Sequence, residues 1–109
     1  MNDMPTNEVI VLALAGNSAK LFCTKSPIER DLKSLGFVMW EKCMERDIKD
    51  DSDRKQLTMQ LITLGALFSG GWGWSPAELL GYYRDQGIIT QPYRTIAWKN
   101  PNSYIIENN

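Results

Sequence analysis

Histidine is absent from the 109 residues. That removes the commonest general base, the commonest metal ligand and every triad built on imidazole. Cysteine is scarce: Cys23 and Cys43 are the only two, and they do not form a CxxC pair. Two are too few for a disulfide scaffold and cannot supply the four ligands of a zinc site. Both read as reduced, half-buried thiols of a chain kept in a reducing, cytoplasmic compartment. Long apolar runs are also missing. Residues 9–15 are apolar, but Asp3 and Glu8 precede them and no basic n-region does, so they do not read as a signal peptide. Residues 56–68 carry no charge, yet they are shorter than a membrane span and include glutamine and threonine. Neither sign of charge dominates, with 12 basic and 13 acidic side chains and a net charge of −1. No membrane association is expected, and nucleic acid is disfavoured as a partner.

Catalytic motifs are equally thin. There is no GxSxG elbow and no P-loop. Gly71-Trp72-Gly73 opens like a dinucleotide fingerprint, but Pro76 stands where the third glycine belongs. Ser52 and Lys55 match SxxK without its companion motifs. Counted from Asp51, the acidic run has Gln56 and Ile62 where a calcium loop needs glycine and glutamate. Asp50, Asp51 and Asp53 read instead as the cap and first turn of a helix. Glu78, Tyr82 and Tyr83 fall close together, and they read as a cap and packing. No enzyme activity, metal or cofactor is expected.

What is present is the composition of one globular domain over residues 1–109, with 43% hydrophobic and 23% charged residues. Charge is unevenly placed. Residues 25–55 hold eight basic and eight acidic side chains, whereas residues 56–83 hold only Glu78. The firmest expectation is a helix over 27–48. It opens on the capping box Ser26-Pro27-Ile28-Glu29 and carries Ile28, Leu32, Leu35, Met39 and Cys43 on one stripe. Phe37, Trp40, Met44 and Ile48 form a second stripe. A helix that is apolar on two sides is either sandwiched or self-associating, so Phe37, Trp40 and Met44 are candidates for a homodimer contact in a chain that is otherwise monomeric.

A second helix is expected over 51–68, with Leu57, Leu61, Leu64 and Phe68 inward. A third is expected over 76–86, capped by Ser75 and ended by Gly87, with Ile88 folding back on Tyr83. Residues 93–98 and 103–106 read as two strands of a C-terminal hairpin around Asn100-Pro101-Asn102-Ser103. Residues 8–24 fit either a helix ending at Gly16 or a hairpin turned there, and the helix is preferred. The expected class is therefore α+β, mostly helical, with a three-helix core and a C-terminal hairpin.

Two features point toward function. The order of elements over 51–106 resembles a winged helix-turn-helix, with 76–86 as the recognition helix and 94–106 as the wing. Against that, residues 69–109 carry three bases and three acids, a poor match to phosphate. The second feature is the glycine-rich stretch 69–75, SGGWGWS, which places Trp72 and Trp74 between two helices. These indoles either fold back onto the second and third helices as core or anchor a partner, since tryptophan is enriched at binding hot spots; on the second reading Trp72, Trp74 and the neighbouring Tyr82 are the candidate partner-binding residues. The expectation is a small non-enzymatic protein that binds a protein partner. Its size fits an accessory or inhibitor protein such as phages and mobile elements encode, although no motif singles that class out. The alternatives are a winged-helix-like nucleic-acid regulator and a small structural or assembly subunit.

Overall fold

Three glycines decide the architecture. Gly36, Gly65 and Gly87 have φ of 99°, 82° and 76°, a left-handed conformation that costs other residues energy. Each follows a helix and closes it with the same pair of backbone bonds. Gly36 and Phe37 donate to the carbonyls of Lys33 and Leu32, Gly65 and Ala66 to those of Ile62 and Leu61, and Gly87 and Ile88 to those of Arg84 and Tyr83. The helices are thus cut short, and the chain re-emerges from each on a residue that packs inward.

The computed structural model describes residues 9–23, 26–40, 43–70, 74–100 and 103–109, without the side chains of Ser26, Pro27 and Trp40. Its elements are β1 (Val9–Ala13), β2 (Ser18–Cys23), α1 (Ser26–Ser34), β3 (Val38–Trp40), β4 (Cys43–Asp47), α2 (Asp51–Thr63), β5 (Leu67–Ser69), α3 (Pro76–Asp85), β6 (Arg94–Asn100) and β7 (Ser103–Asn108). The strands form one sheet in the order β3-β4-β2-β1-β5-β6-β7. β1, β5 and β6 run parallel, and the other neighbours are antiparallel.

This corrects the expected fold. The protein is a seven-stranded mixed sheet with three short helices, neither mostly helical nor winged-helix-like. The expected helix 27–48 is α1 followed by the β3–β4 hairpin, because Gly36 stops the helix and Met39 pairs with Met44 across two strands. The expected helix 51–68 ends at Thr63, because Gly65 stops it and Leu67-Phe68-Ser69 enters the sheet between β1 and β6. Residues 8–24 contain the β1–β2 hairpin rather than a helix. The helix at 76–86 and the C-terminal hairpin are present as α3 and β6–β7. The expected Ser26 cap lies outside the described side chains.

All three helices pack on one face of the sheet. Leu32, Leu57, Leu61, Leu80 and Tyr83 share a core with Val9, Val11, Leu21, Met44 and Phe68. On the other face Ile10, Leu67 and Ile96 cluster with Tyr104, and among the described residues no helical side chain joins them. β1 is therefore apolar on both sides, as a central strand should be. Two arginines tie helix to sheet. Arg54 of α2 donates to the carbonyls of Leu14 and Gly16 at 3.1 and 2.8 Å. Arg46 of β4 pairs with Asp53 of α2 at 2.8 Å. Asp50 caps α2 by accepting from the Asp53 N–H at 2.8 Å.

Candidate functional site

β5 and α3 are joined by the glycine-rich stretch, and the Ser75 hydroxyl accepts from the Glu78 N–H at the start of α3. Trp74 is thereby placed immediately before a fixed helix end. Eight positions on, Tyr82 lies on the outer side of α3. The two rings meet edge to face, with centroids 5.8 Å apart and planes at 80°, a favoured arrangement of aromatic quadrupoles. Even so, Trp74 remains 61% exposed and Tyr82 48% exposed. The neighbouring Tyr83 points the other way and is buried. Its hydroxyl donates to Asp51 at 3.1 Å, and burial together with that carboxylate pushes its phenol up to about 12.

Beside Trp74 runs a groove of about 390 Å³ at the carboxyl ends of the parallel strands β1 and β5. It is lined by residues 12–18 and Lys20 from the β1–β2 hairpin, by Ser69 and Gly70 at the end of β5, and by Trp74 and Ser75. The walls are well fixed. Arg54 holds the carbonyls of Leu14 and Gly16, and the buried Ser69 hydroxyl donates to the Val11 carbonyl at 2.9 Å. Gly70 donates to the Ile96 carbonyl at 2.9 Å, and a Cβ there would come within 3.3 Å of that oxygen. Crevices at the carboxyl ends of strands are where open α/β sheets commonly bind ligands.

Of the expected partner-binding residues, Trp74 and Tyr82 are brought together at the surface, and Trp72 lies outside the described residues. The expected self-association trio is not brought together on an exposed helix. Phe37 and Met44 are buried in the core, and the Trp40 side chain lies outside the description. Cys23 and Cys43 are half-buried thiols on opposite faces of adjacent strands, where they cannot bridge. Among the described residues no three cysteine, aspartate or glutamate side chains gather as a metal site, and no helix is long and apolar enough to cross a membrane. The acidic residues around α2 are engaged locally. Asp51 meets Arg54, Lys55 and Tyr83, and Asp53 meets Arg46 and the Lys49 N–H.

The reading from sequence missed the exposed apolar side chains on the second face of the sheet. Phe22, Leu12, Trp98 and Ile106 are exposed large apolar side chains on the face opposite the helices. Trp98 stacks edge to face on Tyr104 at 5.2 Å. The period-2 alternation of residues 94–98 and 103–108 carried that signal. No family model, curated protein or solved structure matches the chain.

Proposed function

We propose that this protein works by binding another protein rather than by catalysis, and that Trp74 and Tyr82 anchor the partner. The observation that carries the reading is an indole left mostly in water on a rigid mount, paired with a tyrosine and bordering a groove. Hot-spot residues have this chemistry: large, aromatic, presented by a fixed scaffold next to a pocket that a partner side chain fills. The near-zero net charge fits a protein partner better than a polyanion. An accessory or inhibitor role in the cytoplasm, of the kind phages and mobile elements encode, is the proposed setting. Two half-buried thiols suit a reducing compartment.

Replacing both rings, Trp74→Ala with Tyr82→Ala, tests the reading. Affinity for the partner should fall by roughly 2–4 kcal/mol, as hot-spot truncations do. Unchanged binding by a folded variant would refute it. A second reading, a small assembly subunit, is favoured by a separate observation. On the sheet face opposite the helices, Phe22, Trp98 and Ile106 are exposed around the buried Ile10, Leu67 and Ile96, and exposed apolar side chains grouped in this way can mark contact surfaces.

A further inference from the structure

Groove and aromatic anchor are continuous, because Trp74 lines the first and belongs to the second. The groove has a topological cause. From β1 the chain turns to β2 on one side, whereas from β5 it passes through α3 to β6 on the other. Neighbouring parallel strands whose connections part in this way leave a crevice at their carboxyl ends. What such a crevice can hold follows from the polar groups around it.

Many of its acceptors are already engaged. The Leu14 and Gly16 carbonyls accept from Arg54, the Asn17 carbonyl from the Ile48 N–H at 2.8 Å and the Ser75 carbonyl from the Leu79 N–H at 3.0 Å. Donors remain. Among the described residues, the side chains of Asn17, Ser18 and Lys20 have no hydrogen-bond or ion-pair partner. Lys20 is also the single charged residue among those described around the groove. It is exposed, and it alternates along β2 with the buried Ala19 and Leu21. Glu45 and Asp47 stand opposite Lys20 and Ser18 in the β2–β4 register, on the side of β2 away from β1 and the groove. A lining with donors to spare and one cation fits a group that only accepts, and an ionised carboxylate is such a group. The two carboxylates behind Lys20 make the place a poor match to a polyanion.

We propose that the groove receives an acidic segment of the protein partner, with an aspartate or glutamate carboxylate meeting Lys20, Asn17 and Ser18 while a nearby apolar residue of the same segment packs on Trp74 and Tyr82. This rests on the partner-binding reading and adds to it the chemistry of the partner. The aromatic anchor supplies most of the affinity, and the charge selects which segment is held. Carboxylate and apolar residue belong to one segment because Lys20 and Trp74 line one groove of about 390 Å³.

Peptides selected on the intact protein from a random display library, then synthesised, test this. Their affinities are measured for the wild type, for Trp74→Ala with Tyr82→Ala, for Lys20→Gln and for Lys20→Glu, each shown to be folded by circular dichroism. Lys20→Gln adds no like charge opposite Glu45, so it carries the test if Lys20→Glu does not fold. The selected peptides should hold an aspartate or glutamate within a few residues of an aromatic or aliphatic one. Lys20→Gln should weaken them about threefold and Lys20→Glu roughly tenfold. Exchanging the peptide's acid for lysine should restore affinity for Lys20→Glu. Peptides that need Trp74 and Tyr82 but carry no acid, or that bind both Lys20 variants as tightly as the wild type, overturn the acidic segment and leave the anchor standing. A selection that returns no peptide dependent on Trp74 and Tyr82 overturns both. Complete displacement of the peptides by millimolar acetate, at matched ionic strength, assigns the groove to a small free anion and also overturns the proposal.

Discussion

Replacing Gly36 by alanine separates the observed fold from the helix that periodicity predicts. In the structure Gly36 has φ of 99°, and an L-residue held there costs about 1–2 kcal/mol. The added Cβ would also come within 3.3 Å of Arg46 Nε. That guanidinium is held to Asp53 at 2.8 Å, so it can yield only by loosening the pair, which adds up to about 1 kcal/mol. Gly36→Ala should therefore destabilise the protein by about 1–3 kcal/mol. If residues 27–48 were a continuous helix, the same change would fill a helix interior and stabilise by about 1 kcal/mol. The two accounts differ in sign. Gly81→Ala is the internal control: it lies within α3, and its Cβ would meet nothing within 4 Å. It should gain about 0.5–1 kcal/mol. Urea unfolding of the three proteins, followed by far-ultraviolet circular dichroism, reads both changes. A Gly36→Ala variant as stable as the wild type or more so would refute the reasoning.

Two further outcomes concern pH. Tyr83 keeps its proton in the folded chain up to about pH 12 because it is buried against Asp51, whereas the ordinary phenol loses it near 10.0. The stability this represents, roughly 2–3 kcal/mol, is present below pH 10 and lost as pH rises toward 12. Tyr83→Phe should lose about 1 kcal/mol at neutral pH with its hydrogen bond and show a shallower alkaline fall, measured by urea midpoints at pH 7, 10 and 11.5. Asp51 and Asp53 behave in the opposite sense. A hydrogen bond from Lys55, aided by Arg54 and Tyr83, holds the Asp51 carboxyl below the ordinary 3.8. The Lys49 N–H and Arg46 do the same for Asp53. Their contribution is present above about pH 4 and is lost as pH falls through the lowered values. Asp53→Asn should therefore be less stable at pH 6 and less sensitive to acid between pH 4 and 2, checked by thermal melts across that range.

The legible parts of the sequence were those with explicit punctuation. Ser75 and Pro76 open α3 and Gly87 closes it; Asp50 opens α2; the hairpin after residue 93 alternates cleanly. The rest failed for one physical reason. Short strands buried inside a sheet are apolar on consecutive positions, and such runs fit helical spacing as well as strand spacing. Val9 to Val11 and Leu67-Phe68 are of this kind, buried on both faces of the sheet. Gly36 and Gly65 carried the missing signal. Each is followed by an apolar residue and preceded, four positions before it, by a leucine, the pattern of the Schellman motif that was used at Gly87 alone. At the candidate site, composition alone left Trp74 open to either core packing or display, and the structure leaves both Trp74 and Tyr82 exposed. The second sheet face was not legible, because which side of a strand meets helices is fixed only when the topology is known.

The most direct test of the partner-binding account compares wild type with the Trp74→Ala, Tyr82→Ala double variant, first by thermal melt and then by quantitative capture from a lysate of the native host. Both rings are largely exposed, so the melting temperature should fall little, in line with roughly 1–2 kcal/mol for partly exposed aromatic contacts. Fully buried rings would cost roughly 3–5 kcal/mol each. The account predicts a protein retained in stoichiometric amount by the wild type and lost by the folded double variant. A large drop in melting temperature would show the rings to be packing, and identical capture by both proteins would contradict the anchor.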